Sequence, residues 1–327
     1  MFMKNMNFLA ASLALSLCGA ASAQELQADA INNASLASIP SERPSNASPR
    51  PEPAIVHLQV LLDRAGSSPG VIDGHYGENV AKAVAGFEAM QGLSADGKLD
   101  PEVIGRLSDD VAVTQPYVIS EADAKGLVDS IPEDYSEQAE MEHLGYTSVA
   151  ERLSERFHMD IDLFKDLNPG SAFAVGETVW VAMPGAPKLG TVERIEARKQ
   201  TGQVLAFAED GSLLSIYPAT IGSEESPSPS GTHKVKGVAR MPPYMYNPDM
   251  NFQQGDNSKR LTLPGGPNSP VGNVWIDLSK PTYGIHGTPE PSLIGKSESH
   301  GCVRLTNWDA GELAAMVKPG VMVEFTD

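Results

Sequence analysis

Cysteine is nearly absent, with two residues in 327, Cys18 and Cys302, and that excludes a disulfide-stapled scaffold. Basic residues are also short, 24 Lys plus Arg against 42 Asp plus Glu, for a net charge of -18. Nucleic-acid affinity comes largely from Lys and Arg displacing counterions, so no nucleic-acid partner is expected. Aromatic residues make up only 6%. Beyond the N-terminus no apolar run reaches the ~20 residues that a bilayer-spanning helix needs, so no transmembrane span is expected in the mature chain. Proline and glycine are plentiful, at 25 and 30 residues, beside a 41% hydrophobic content that is enough for real cores. Short elements joined by many turns, in two or three domains, fit that balance.

Lys4, the apolar run from Phe8 to Leu17 and Ala21-Ser22-Ala23 before Gln24 read as a signal peptide over residues 1–23. The apolar run is too short to span a bilayer of ~30 Å. Cleavage after Ala23 removes Cys18 and leaves Cys302 alone, so no internal disulfide can form. An unpaired thiol in an oxidising compartment is a liability unless it is buried or needed for chemistry.

Residues 24–53, with prolines at 40, 44, 49, 51 and 53 and no apolar periodicity, read as a Pro/Ser-rich linker. Helical spacing begins at Ile55, Leu58, Leu61 and Leu62, resumes at Val80, Val84 and Phe87 after the Asp73-Gly74 turn, and returns at Val103 and Leu107 behind Pro101. These make a three-helix module over 54–108. Its Leu58-Gln59, Ile72-Asp73-Gly74-His75-Tyr76-Gly77, Ala83-Val84, Gly92-Leu93 and Asp96-Gly97 resemble the small peptidoglycan-binding domain, with Glu88 where that family usually has glutamine. Residues 109–141 read as an acidic connector. Val149, Leu153 and Phe157, then Leu163-Leu167-Asn168-Pro169 and Val179-Trp180-Val181, resemble a LysM domain of βααβ form over 142–184, with Gly145-Tyr146-Thr147 where Gly-Asp-Thr is common. From 189 to 327 short β-type runs dominate, at Gln203–Phe207, Leu213–Tyr217, Val274–Ile276 and Val321–Phe325. One late helix is expected, capped by Thr306 or Asn307. The expected class is α+β and multidomain, ending in a mostly β domain.

The chemistry gathers at Ser299-His300-Gly301-Cys302-Val303-Arg304, whose Cys302 stands sixteen residues after His286 in His286-Gly287-Thr288. A cysteine attacks a carbonyl carbon as its thiolate, a nearby imidazole can take the proton, and the oxyanion needs amide donors such as the N–H groups of Gly301 and Cys302. The residue types alone leave other readings open: a buried packing cysteine, a site in which two His and one Cys ligate a metal, or turn glycines with chance neighbours. Arg304 is open between an ordinary surface charge and a partner for a substrate carboxylate.

Ile285-His286-Gly287-Thr288, Ile294-Gly295 and Ser299-His300-Gly301-Cys302-Val303-Arg304-Leu305 resemble the signature of the L,D-transpeptidase (YkuD) catalytic domain, and Ser228–Val235 resembles that family's upstream turn and strand less closely. The resemblance implies a β-sandwich core over 189–327. Cys302 is then the nucleophile, His286 the base, Gly301 part of the oxyanion region and His300 an auxiliary group, with Arg304, Gly287 and Ser299 toward the substrate. No cofactor and no metal is implied, because thiol, imidazole and amide donors suffice. The implied partners are peptidoglycan stem peptides and glycan, with an envelope lipoprotein as a further candidate acyl acceptor, in the periplasm or cell wall. A non-catalytic wall-binding protein and an L,D-carboxypeptidase using water are the competing readings.

Overall fold

The computed structural model describes residues 26–327 apart from 42–47, 108–110, 224–225 and 251. The expected signal peptide lies outside the described residues. Four helices come first: α1 (Ala28–Asn32), α2 (Pro53–Ala65), α3 (Glu78–Met90) and α4 (Pro101–Leu107). Pro53 starts α2, where its missing N–H costs nothing, and Gly66 ends it at φ +88°, a conformation that glycine adopts without strain. Ile55, Leu58, Leu61 and Leu62 face inward, as their spacing predicts, against Val80, Val84 and Phe87. The linker expected over 24–53 is corrected in part. Ile31, Leu36 and Ile39 are buried in this same core, and the Ile31 carbonyl meets His57 Nδ1 at 2.8 Å. One short helix and one 3-10 turn, at Leu36–Ser38, carry these contacts, too little chain for a period to register in the sequence.

The next unit comprises β1 (Thr114–Val118), α5 (Tyr135–Gln138), α6 (Val149–Arg156), α7 (Ile161–Leu167) and β2 (Thr178–Ala182), with β1 and β2 antiparallel. Ser148 and Asp160 cap α6 and α7 by accepting backbone N–H bonds. A strand, two principal helices and a strand are present, but the first strand comes from the stretch read as an acidic connector. Thr114 is buried and Gln115 and Tyr117 half-buried, so a composition rich in Asp and Glu further along hid a strand that closes the unit. Nor are the two helical units separate. Both contribute to one buried cluster, and Ile72 and Met159 bridge them through Ile72 N–H to His158 carbonyl (2.8 Å) and Asp160 N–H to Ile72 carbonyl (2.9 Å).

The remaining elements are β3 (Arg194–Arg198), β4 (Gln203–Phe207), β5 (Leu213–Pro218), β6 (Thr220–Ile221), β7 (Gly231–Arg240), β8 (Tyr244–Tyr246), β9 (Leu261–Leu263), β10 (Val274–Leu278), β11 (Gly284–His286), β12 (Val303–Arg304), α8 (Asn307–Met316) and β13 (Met322–Thr326). Nine of these strands form one sheet in the order β5-β4-β3-β13-β7-β10-β11-β12-β6. The ten-residue β7 pairs with β13 through its first half and with β10 through its second, so it joins two sheet halves. Ile195, Val204 and Val323 from one half and Ile276, Ile285 and Val303 from the other bury into a single cluster with Leu313 of α8. Thr306 caps α8, accepting the Asp309 N–H. The β8–β9 hairpin stands apart and packs Tyr246 and Leu263 against Leu144 and half-buried Tyr135.

Candidate active site

The site grows from two short parallel strands. In register, Ile285 of β11 faces Val303 of β12 and His286 faces Arg304, while the Leu305 N–H donates to the His286 carbonyl at 2.8 Å. Cys302 is thereby held one residue ahead of β12, and the chain from 287 to 301 leaves and returns to the same edge. His286 is 4% exposed. Trp275, its register partner on β10, stacks on its ring with centroids 5.4 Å apart. His286 Nδ1 lies 2.7 Å from the Gly287 carbonyl. A carbonyl only accepts, so Nδ1 carries the proton and Nε2 keeps its lone pair. Burial lowers the imidazole pKa to about 4, the Gly287 bond opposing and the Arg304 charge adding, so the ring is neutral at pH 7.

Cys302 is half-buried, and its thiol meets the Thr282 carbonyl at 3.7 Å. Burial pushes the thiol pKa up, against a backbone hydrogen bond at Gly284 and the Arg304 charge. Both shifts favour neutral thiol and neutral imidazole at rest over a thiolate–imidazolium pair. Thr282 sits at φ +71°, a strained conformation for a β-branched residue, which aims its carbonyl at the sulfur.

Cys302, His286, His300 and Arg304 line one cleft of about 830 Å³. Tyr135, Tyr244, Trp275 and Tyr283 line it with them. His300 is exposed and stacks on Phe252 at 4.2 Å, with its pKa lowered by partial desolvation of the ring and by Arg304. Arg304 Nη1 donates to the Glu298 carbonyl at 3.3 Å and makes no ion pair among the described residues. Gly301 has φ +98°, and a Cβ there would stand 2.9 Å from Tyr283 Cε1, so the turn ahead of Cys302 requires glycine. The Gly301 carbonyl accepts from Ser228 Oγ at 2.8 Å.

Two expected substrate contacts face elsewhere. Ser299 is 2% exposed, and its hydroxyl donates to the Cys302 carbonyl (2.6 Å) while accepting the Gly222 N–H (2.7 Å). Its hydroxyl thus braces the loop ahead of β12. Gly287 is buried against Asn307, where a Cβ would lie 2.2 Å from Asn307 Oδ1, and it does not line the cleft. Sequence reasoning missed Trp275, Thr282, Ser228 and Tyr135 as parts of the site. Trp275 had a signal, since it alternates with the inward Val274 and Ile276 on β10. Tyr135 had none, being far along the chain in a stretch without periodicity. Among the described residues no group of three or more His, Cys, Asp or Glu is arranged to hold a metal ion.

Residues 193–324 match the family model described as the L,D-transpeptidase catalytic domain, YkuD, and residues 51–107 match one described as "Putative peptidoglycan binding domain". The protein of Bacillus licheniformis named "Putative L,D-transpeptidase YkuD" is 31% identical over 157 residues, 48% of this chain and 79% of that protein. Its Bacillus subtilis namesake is 32% identical over 143 residues, 44% of this chain and 72% of that one. The chain belongs to the L,D-transpeptidase family. A solved L,D-transpeptidase from Mycobacterium smegmatis aligns at 18% identity and TM-score 0.34, over 46% of this chain and 66% of that one. The β1–β2 unit lies outside both matched stretches. In this L,D-transpeptidase the family model spans eight strands of the nine-stranded sheet and the first residues of β13, with both His286 and Cys302 inside it.

Proposed function

We propose that the protein is an exported cell-wall enzyme that forms a thioester on Cys302 with a peptidoglycan tetrapeptide stem, releases the terminal D-amino acid and passes the acyl group to an amine. The observation that carries this reading is the His286 tautomer: Nδ1–H is committed to the Gly287 carbonyl, so Nε2 is left as an acceptor in the cleft that holds the Cys302 thiol. Because the pair is neutral at rest, the proton leaves Sγ as attack begins. Sγ bonds to the carbonyl carbon of the stem's L-centre while the proton passes to His286 Nε2. The tetrahedral oxyanion is held by N–H groups around Gly301. The C–N bond to the D-residue then breaks, its nitrogen takes the proton from His286, and the thioester remains. An incoming amine reverses the sequence, losing its proton to Nε2 and expelling Sγ. Arg304 offers a cation for a carboxylate of the stem, and His300 shapes the cleft beside it. The N-terminal stretch supports export, and the module over 51–107 supports holding the enzyme near its polymer, which raises the local concentration of stems.

Intact-mass analysis with a tetrapeptide donor tests this. The wild-type chain is expected to gain the mass of the stem less the free D-amino acid released, and Cys302→Ala to gain nothing. An adduct on Cys302→Ala, or none on the wild type, contradicts the reading. Adding a stem amine, a lipoprotein lysine peptide or water alone as acceptor identifies the second half-reaction, the last giving L,D-carboxypeptidase activity.

A further inference from the structure

Glu155, on α6 in the β1–β2 unit, is 7% exposed, and no residue of the proposed mechanism explains it. Its Oε2 accepts from Asn307 Nδ2 at 2.9 Å and from Tyr146 Oη at 3.3 Å, and no cation pairs with it among the described residues. Asn307 opens α8 and acts as a wedge. Its Nδ2 also donates to the Pro267 carbonyl at 3.2 Å, and its Oδ1 accepts the Asn273 N–H at 3.1 Å. That Oδ1 fills the space which the missing side chains of Gly272 and Gly287 leave, standing 2.1 and 2.2 Å from where their Cβ atoms would be. Gly287 is the residue whose carbonyl receives the His286 Nδ1–H. A buried glutamate carboxyl therefore holds a carboxamide, the carboxamide holds a turn, and the turn sets the tautomer of the imidazole.

We propose that Glu155 is a positioning residue for His286, acting through Asn307 and the Gly287 carbonyl, so that the unit preceding the catalytic domain is part of the support of the active site. The proposal rests on the reading of His286 as the base. Glu155 lies outside both stretches matched by family models, 51–107 and 193–324, so the support is contributed in cis by chain that neither model covers. Burying a polar side chain is costly unless it is hydrogen-bonded, and here its hydrogen bonds are spent on the site's scaffold. Chemistry tolerates little misplacement of a base, since an error near 1 Å costs about a hundredfold.

The test compares Glu155→Leu, Glu155→Gln, Asn307→Ala and His286→Gln in the full chain, with acylation by a tetrapeptide donor followed by mass and the His286 tautomer followed by ¹⁵N NMR. Glu155→Leu is expected to lower the acylation rate constant by about tenfold or more with the donor KM nearly unchanged, and to turn a single Nδ1–H tautomer into a mixture. Glu155→Gln retains an acceptor for Asn307 and is expected to recover much of that loss. Asn307→Ala approaches the same wedge from the catalytic side, so it carries the test if Glu155→Leu does not fold. Wild-type acylation and an unmixed tautomer in Glu155→Leu or Asn307→Ala, beside a clear loss in His286→Gln, would overturn the positioning role alone. Wild-type acylation by His286→Gln would instead remove the base assignment, and the proposal with it.

Discussion

His286 and Cys302 are held neutral by the same cause, burial, and this has a sign that can be measured. The thiol pKa lies above its ordinary value, so alkylation of Cys302 by iodoacetamide should climb steadily from pH 6 to pH 9. A plateau already reached at pH 6 would mean a preformed thiolate–imidazolium pair. On the acid side His286, with its pKa lowered to about 4, should keep acylation working until the pH falls toward that value. At Gly301 the constraint is backbone geometry. Alanine at φ +98° costs about 1–3 kcal/mol of strain and drives Cβ toward Tyr283, so Gly301→Ala should lower acylation about tenfold or more while the far-UV circular dichroism stays unchanged. The meeting of Cys302, His286 and Gly301 at one place was legible because the motif sets them close in sequence. Ser299 and Gly287 were misread as substrate contacts because neighbours in a motif alternate in direction, and only the folded loop shows which way each side chain or missing side chain faces.

At the scale of elements, α3 and β5 meet where Gly86 has no side chain. A Cβ there would lie 2.5 Å from Ser67 Oγ and 2.7 Å from Ile216 Cδ1. Alanine would raise intrinsic helix propensity by about 1 kcal/mol, so a surface helix would gain from Gly86→Ala. Here the expected outcome is a lower Tm and faster proteolysis between the helical module and the sheet, measured by thermal melts and limited trypsin digestion. A raised Tm would show that the contact between α3 and β5 does not matter to stability. The principal helices were legible from their period, with Pro101 at the start of α4 and Thr306 before Leu313 as terminal signals. α1 and β1 were not, because one is a single turn and the other carries a proline and few apolar residues. Each is stabilised by contacts distant in sequence, such as Asn32 Oδ1 accepting the N–H groups of Val113 and Thr114.

In the whole molecule, the face of α8 joins the sheet to both helical units. Asn307 meets Glu155, Trp308 stacks on His158 at 5.1 Å, and Asp309 accepts from Ser68 Oγ at 3.1 Å. Burial raises the Glu155 pKa to about 8 and lifts Asp309 well above the usual carboxylate range. Groups raised above their unfolded values stabilise the fold fully below about pH 4 and lose that contribution as the pH rises through the folded value. His286 acts in the opposite sense, its contribution being present above about pH 6.5 and lost as the pH falls toward 4. Thermal melts should therefore show Tm falling between pH 6.5 and pH 8.5, with Glu155→Gln flattening the fall; a Tm that rises steadily to pH 8.5 would contradict it. The sequence by itself determined the principal helices, most of the strands and the nearness of a cysteine to two histidines, since period, caps and short motifs are local properties. Tertiary structure alone decided that the modules share a core, that Tyr135 enters the cleft and that Glu155 stands behind Asn307. Those contacts join residues far apart in the chain through burial and hydrogen bonds, and no local pattern records them.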